Sequence, residues 1–258
     1  MKKESFAQEV EPIIREAGKI LLSYFGKHLE RNSKPNAGYY SLADIESEQY
    51  LIKNLQKILP QASILAEESG QNGLNQDLCW VIDPLDGTAN FVHGIPYFSI
   101  SIALTENGVP IFGMIYNPIL DELFWAQKGK GAFLNGYSIR VSDARSLDIC
   151  LASSCLPYDE TQHDRLLHDF GKIAKRIDGI RKMGSAALDG CYVACGRFDA
   201  LFFERLSWWD VAAVVIIIEE AGGRVVTYAG EPVRADFTSF VAANESVAKQ
   251  FLEVLKEK

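Results

Sequence analysis

The feature that most constrains this chain is an apolar strand that ends in a pair of aspartates. Residues 80–82 are apolar, Asp83 and Asp86 follow with Pro84 between them, and Gly87-Thr88 opens the next element. Carboxylates fixed at a strand end are the oxygen ligands that Mg²⁺ prefers, and the free amides of a following helical turn suit a phosphate. The segment therefore predicts a shared metal and phosphate site, although Asp-Pro and Asp-Gly are also turn signals.

Two further segments extend this pattern over the whole chain. One is Leu65-Ala66-Glu67-Glu68-Ser69-Gly70, and the other is Trp208-Trp209-Asp210-Val211-Ala212-Ala213, which leads into Glu219-Glu220-Ala221-Gly222-Gly223. Together with the aspartate segment, they resemble the signature set of the inositol monophosphatase family, the Mg²⁺-dependent, lithium-sensitive sugar phosphatases. The resemblance implies a layered αβαβα sandwich with the site between its halves, and it implies a homodimer.

Composition narrows the possible partners and location. The 258 residues carry 34 acidic and 26 basic side chains, a net charge of −8, which disfavours nucleic acid as the main partner because phosphate backbones are bound by clustered Lys and Arg. The longest apolar run, 211–218, is too short to span a bilayer, and no apolar signal-peptide region follows residues 1–5. Five cysteines without a Cys-x-x-Cys pair predict free thiols in a reducing compartment. We therefore expect a soluble cytoplasmic protein that does not bind membranes.

The first part of the chain alternates between helical and strand patterns. Apolar residues at helical spacing predict one helix within 6–25, which starts at or kinks near Pro12, and another over 44–59. The polar residues 30–43 predict a mobile loop. Residues 98–105 alternate as a half-buried strand, and Asn107-Gly108 then predicts a hairpin.

After about residue 145 the pattern becomes one of alternating short strands and helices. Four helices are predicted in this region, at 163–176, 185–196, 209–221 and 245–256. The expected fold class is therefore mixed, with an α+β subdomain over 1–145 and an α/β subdomain over 146–258. Because no Pro- or Ser-rich linker separates them, we expect one compact unit.

The family resemblance implies two or three Mg²⁺ ions per site. Glu67, Asp83 and the backbone carbonyl of Leu85 would hold the first ion, and Asp83 would bridge to a second ion that Asp86 and Asp210 complete. Glu67 would also serve a weaker third ion through water. Two close cations suit phosphoester hydrolysis, because one lowers the pKa of a water and the other neutralises phosphoryl charge. Direct in-line attack by water is the expected route.

The resemblance also implies catalytic and phosphate-binding roles. The amides of Gly87 and Thr88 would contact phosphate oxygens. Asp44 matches the family aspartate that pairs with the motif threonine, here Thr88, and with Glu67 this pair would orient and deprotonate the attacking water. The alternative for Asp44 is a helix N-cap, and the two roles are compatible.

Upstream of Asp44 the sequence departs from the family pattern. Gly38-Tyr39-Tyr40-Ser41 stands where the family has Asp-x-Val-Thr, so an acidic residue is missing, and Lys34 matches the family's loop lysine. The departure bears on third-metal affinity and loop closure.

Substrate contacts are expected from the second half of the chain. One segment resembles the family loop whose backbone meets sugar or inositol hydroxyls, the alternative being an ordinary helix start; it comprises Gly184, Ser185, Ala186 and Ala187. Glu204 resembles the family's hydroxyl-binding glutamate. Its spacing to Asp210 is one residue shorter than in the best-known inositol phosphatases, which weakens a strict inositol preference.

The leading hypothesis is a Mg²⁺-dependent phosphomonoesterase that acts on inositol monophosphate or a related sugar phosphate, and residues 88–91 favour the inositol branch. Fructose-1,6-bisphosphatase, NADP phosphatase and histidinol-phosphate phosphatase activities remain open. A hypothesis of another class is a regulatory protein that binds RNA or the transcription machinery, with incidental catalysis. The retained carboxylates favour an enzyme, and the acidic balance opposes direct RNA binding.

Overall fold

The computed structural model describes residues 6–27, 32–34, 38–73, 77–155 and 163–257. Within these residues the chain forms seven α-helices and two large mixed β-sheets. The helices are α1 (Phe6–Tyr24), α2 (Leu42–Ile58), α3 (Thr88–Val92), α4 (His163–Ala174), α5 (Ala186–Ala194), α6 (Trp208–Glu220) and α7 (Glu245–Lys256).

The described residues of the first half form ten strands. They are β1 (Asn32–Lys34), β2 (Gly38–Tyr40), β3 (Ser63–Ala66), β4 (Gly70–Asn72), β5 (Leu78–Asp86), β6 (Ser99–Glu106), β7 (Val109–Asn117), β8 (Glu122–Gln127), β9 (Ala132–Leu134) and β10 (Tyr137–Ile139). Strands β1 and β2 form a small hairpin. The other eight form one sheet in the order β10-β9-β8-β7-β6-β5-β3-β4, in which β3 and β5 are parallel and the remaining pairs are antiparallel.

Five strands of the second half form the other sheet. They are β11 (Leu151–Ser154), β12 (Gly179–Arg181), β13 (Ala200–Glu204), β14 (Arg224–Val226) and β15 (Ser239–Ala243). The sheet order is β12-β11-β13-β15-β14, with β11 parallel to both its neighbours and β15 antiparallel to both of its own.

The helices lie in three layers around the two sheets. Helices α1 and α2 cover one face of the large sheet, α5 and α6 fill the space between the sheets, and α4 and α7 cover the far face of the small sheet. Each layer buries its own apolar cluster, so the expected αβαβα sandwich is confirmed. None of the helices in the described segments is both long and apolar enough to cross a membrane.

Helix α6 lies closer to its neighbours than ordinary side chains would allow. A Cβ added at Gly113 on β7 would lie 2.6 Å from the Cγ2 atom of Ile216, and one added at Gly190 on α5 would lie 2.4 Å from Val214 Cγ1. These two glycines let α6 press against both the large sheet and α5. Because α6 is apolar nearly all round, it is buried in this central layer, which fixes where its first turn points.

Four local expectations differ from the structure. The strand over 98–105 is buried on both faces rather than half-buried, because helices pack on both sides of β6. Helix α1 begins at Phe6 and continues through Pro12, so the alternative of a start near the proline is wrong, and a kink there stays a prediction. Residues 32–34 pair with 38–40, so the loop predicted over 30–43 is wrong for these strands. Helix α2 begins at Leu42 because Ser41 caps it, two residues before the predicted start. The division into 1–145 and 146–258 stays a prediction, and one apolar cluster draws residues from both parts.

Candidate active site

Three carboxylates from two elements meet at the carboxyl end of β5, a central strand of the large sheet. One oxygen each of Asp83, Asp86 and Asp210 lies within 4.8 Å of the other two. Asp83 and Asp86 are three apart on β5, which would place them on opposite faces of a regular strand. A register shift between them pairs Asp83 with Ser101 and Asp86 with Ser99, so the irregular strand turns both side chains to one side.

The third carboxylate of this cluster comes from the first turn of α6. Ser207 caps the helix, and its backbone amide donates to Asp210 Oδ2 at 2.8 Å. Burial raises the pKa values of Asp83 and Asp210 well above the usual range, and the charges of neighbouring carboxylates raise them further. Such a cluster is costly when charged and unpaired. Converging carboxylate oxygens are hard ligands, so this donor set fits a Mg²⁺ ion.

Asp86 has a second set of partners at the start of α5. The amides of Ala186 and Ala187 donate to its two oxygens at 3.2 and 2.8 Å, and the Ser185 hydroxyl donates to Oδ2. Burial raises the pKa of Asp86 to about 6, while these donors oppose the increase. The segment from Gly184 to Ala187 is thus bound to the carboxylate cluster, and its role in contacting substrate hydroxyls stays a prediction.

Asp44 and Thr88 are brought together as the sequence predicts. Thr88 Oγ1 lies 3.2 Å from Asp44 Oδ1 and 3.0 Å from the carbonyl oxygen of Leu85. Asp44 Oδ2 also accepts from the amide and hydroxyl of Ser41, at 2.8 and 2.7 Å. Asp44 is therefore not the N-cap of α2; Ser41 is, and Asp44 completes the capping box from the third helical position. Burial raises the pKa of Asp44 to about 6.

Gly87 is required by the backbone at the turn between β5 and α3. Its φ of 92° is in the left-handed region that favours glycine. A Cβ there would lie 3.1 Å from the carbonyl oxygens of both Tyr97 and Gly184. A side chain at this position would therefore strain the backbone and crowd the contact between the aspartate segment and the 184–187 segment.

Glu67 directly follows β3, beside the aspartate segment. Its amide donates to the carbonyl oxygen of Ile82 at 3.2 Å, and its side chain is half-buried. Burial is the main cause of the raised pKa values of Asp83 and Asp44, and the charge of Glu67 is a further cause. The structure thus brings Glu67 near the cluster and near Asp44.

Two further predicted positions lie on β-strands. Glu204 is buried at the end of β13, in register with Ser239, and its role with substrate stays a prediction. Lys34 and residues 38–40 lie in the β1–β2 hairpin, where the structure describes the backbone pairing but not the side chains.

Sequence reasoning missed Asn90, which joins the two sides of the site. Its side-chain amide donates to the carbonyl oxygens of Tyr97 and Met183, at 2.7 and 2.8 Å. Gly184 leaves room for this contact, because a Cβ there would lie 2.9 Å from Asn90 Nδ2. The position of Asn90 within the motif helix was visible in the sequence, but the two distant carbonyl groups were not.

Asp189 on α5 is a second missed residue. Its carboxylate accepts from the hydroxyl groups of Tyr97 and Ser153, at 2.7 and 2.5 Å, and is almost fully buried. Burial raises its pKa to about 7. A lone acidic residue within an apolar helical pattern is the signal that marks it in the sequence.

A sequence model described as the inositol monophosphatase family matches residues 2–258. The chain belongs to the inositol monophosphatase family.

Members of this family that resemble the chain carry two kinds of name. It is 38% identical to an inositol-1-monophosphatase from Caulobacter vibrioides over 249 residues, which cover 94% of this chain and 97% of that protein. It is 40% identical to a protein named Nus factor SuhB from Xylella fastidiosa over 219 residues, 84% of this chain and 79% of that one. The crystal structure of extragenic suppressor protein suhB from Bartonella henselae matches with a TM-score of 0.94 and 36% identity, over 98% of this chain and 99% of that one.

Proposed function

We propose that the chain is a Mg²⁺-dependent phosphomonoesterase that hydrolyses inositol monophosphate or a related sugar phosphate. The convergence of Asp83, Asp86 and Asp210 supports this most strongly, because two distant parts of the sequence supply one compact set of hard ligands. Membership in the inositol monophosphatase family, and similarity to proteins of that name, give independent support.

Mg²⁺ would be held by these three carboxylates together with Glu67 and the carbonyl oxygen of Leu85. When bound, the metal supplies positive charge beside the phosphoryl oxygens and lowers the pKa of the attacking water. Asp83 has the central place, since the charges of Glu67, Asp86 and Asp210 all raise its pKa.

Asp44 and Thr88 would hold the proton of the attacking water. The Thr88 hydroxyl can donate to Asp44, which leaves the lone pairs of Thr88 Oγ1 to accept from a water molecule. Asp44 is ionised above about pH 6 and can then receive a proton through this contact. Glu67, close to both, would share in orienting the water, and the Gly87 and Thr88 amides would contact the phosphate.

A second candidate function is a regulatory binding protein with incidental phosphatase activity. It is favoured by one observation: the relative named Nus factor SuhB is 40% identical, as similar as the inositol-1-monophosphatase at 38%. Fructose 1,6-bisphosphate, NADP and histidinol phosphate also remain candidate substrates. A homodimer, a cytoplasmic location and inhibition by lithium are further expectations of the proposal.

The direct test is phosphate release from inositol 1-phosphate with and without Mg²⁺, beside fructose 1,6-bisphosphate, NADP and histidinol phosphate. We expect metal-dependent release, and the ranking of substrates names the branch. Asp83→Asn should lose activity by orders of magnitude, because the proposed ions share this residue. If the wild type hydrolyses none of these substrates, the binding function is favoured. A pull-down in which the Asp83→Asn protein recovers a stoichiometric partner would then support that function.

A further inference from the structure

Helix α2 turns one polar stripe toward the candidate site. Asp44, Ser47 and Glu48 are three and four residues apart, so they share a face of the helix, and all three are buried. Asp44 and Ser47 both contact the aspartate segment. Asp44 meets Thr88, and the Ser47 hydroxyl donates to the carbonyl oxygen of Pro84 at 3.1 Å.

Glu48 contacts another segment, the turn after β3, with both of its carboxylate oxygens. Oε2 accepts from the amide of Glu68 at 2.8 Å, and Oε1 accepts from the amide of Ser69 at 2.9 Å. The side chain is 3% exposed, so water cannot readily replace either bond. Bonds from amides to a charged carboxylate are about twice as strong as those between neutral groups.

The two amides directly follow Glu67. On its other side, the Glu67 amide donates to Ile82 O on β5, the strand that carries Asp83. The turn that contains Glu67 is therefore held from both sides, by β5 and by the Glu48 carboxylate.

We propose that Glu48 is a positioning residue that sets the direction of the Glu67 carboxylate and so raises the affinity of the site for Mg²⁺. The inference rests on the proposed function, since it assigns Glu67 to the metal. A carboxylate is required at position 48, because its two oxygens accept from two amides at once. Glutamine would offer one oxygen and would place an NH₂ group against the second amide.

The test is a calorimetric titration of the full chain with Mg²⁺ in the absence of substrate. Glu48→Gln keeps the reach of the side chain but loses one acceptor, whereas Glu48→Asp keeps the charge and both acceptors but is one methylene shorter. The matched control is Glu46→Gln, which makes the same change at an exposed position of α2. Cooperative thermal unfolding identifies folded variants, and Glu48→Asp decides alone if Glu48→Gln does not fold.

We expect both Glu48 variants to bind Mg²⁺ about tenfold more weakly than the wild type, the lower end for residues that orient a metal ligand, and Glu46→Gln to bind normally. Two results would overturn the inference while leaving the proposed function intact. One is wild-type affinity in both Glu48 variants. The other is wild-type affinity in Glu48→Asp alone, which would mean that charge rather than position matters. A wild-type protein that binds no Mg²⁺ would instead overturn the proposed function and this inference with it.

Discussion

Helices α2 and α6 begin with the same local arrangement and use it in different ways. Each has a serine at the N-cap and an aspartate three residues later, and in each the N-cap amide donates to the aspartate at 2.8 Å. Both aspartates belong to the candidate site, and burial raises the pKa of both. The capping box thus fixes two of the site's carboxylates at helix starts.

The surroundings of the two carboxylates differ. Helix α2 covers an outer face of the large sheet, and its Asp44 meets the neutral hydroxyl of Thr88. Helix α6 lies between the sheets, and its Asp210 meets the carboxylates of Asp83 and Asp86. The same local motif therefore gives a candidate proton acceptor in one place and a candidate metal ligand in the other. The segment that a capped aspartate faces, rather than the cap itself, determines its chemistry.

The largest effect on activity is expected at Asp210, the candidate metal ligand on α6. Asp210→Asn should lower kcat about a thousandfold, since loss of several kcal/mol of charge stabilisation corresponds to that factor. In the absence of Mg²⁺ its melting temperature should equal or exceed that of the wild type, because one of three repelling buried carboxylates is removed. Assays of phosphate release and thermal melts with and without Mg²⁺ measure both effects.

The control for this variant is Ser207→Ala, which removes the cap hydroxyl and leaves the carboxylate in place. It should cost about 1 kcal/mol of stability and keep most of the activity. An Asp210→Asn protein that is active, or one that is still stabilised by Mg²⁺ as strongly as the wild type, would contradict the metal assignment.

A smaller effect is expected on the α2 side. Asp44→Asn should lower kcat about a hundredfold, within the range of a lost general base, while calorimetric Mg²⁺ affinity stays near that of the wild type. Because the pKa of Asp44 is raised to about 6, its protonation should contribute to a fall in wild-type kcat below that pH, as should protonation of the cluster carboxylates, whose pKa values are also raised. A variant that loses Mg²⁺ binding together with activity would erase the proposed difference between Asp44 and Asp210.

The smallest effect on activity is expected at Asp189, a buried aspartate with hydroxyl partners and no place in the metal cluster. Its folded pKa is about 7, above an unfolded value near 3.9, so stability should fall as pH rises from about 4 through 7. Asp189→Asn should therefore be more stable than the wild type by about 4 kcal/mol at pH 8 and similar at pH 4, as urea midpoints would show. The exposed variant Asp143→Asn is the control. An equal difference at both pH values would indicate that ionisation of Asp189 does not set its stability.

Much of the fold could be predicted from the sequence, because its signals are local. The continuous apolar run before Asp83 and the 3.6-residue period over 245–256 are such signals. The alternation over 98–105 predicted the strand but not its burial, because both of its faces are covered. The expectation failed over 30–43, where residues 32–34 and 38–40 pair as two short strands that carry little apolar signal. The helix through Pro12 shows that tertiary packing overrides the local preference of a proline.

Some residues of the candidate site could likewise be predicted from the sequence, and others could not. Asp83, Asp86 and Asp210 stand out because apolar segments anchor them, and the structure brings them together. Glu48 and Asn90 could not be predicted, because their partners are backbone groups 20 or more residues away, except for Tyr97, and no sequence pattern marks a backbone amide or carbonyl. A helical stripe in which Asp44, Ser47 and Glu48 interrupt apolar positions was the available hint.

The most direct test of the proposed metal centre is anomalous diffraction from crystals soaked in Mn²⁺, which takes oxygen ligands as Mg²⁺ does. We predict an anomalous peak within bonding distance of carboxylate oxygens of Asp83, Asp86 and Asp210, which disappears in Asp210→Asn. Ordered carboxylates without an anomalous peak, at Mn²⁺ concentrations that support activity of related phosphatases, would contradict the assignment of this cluster to a metal.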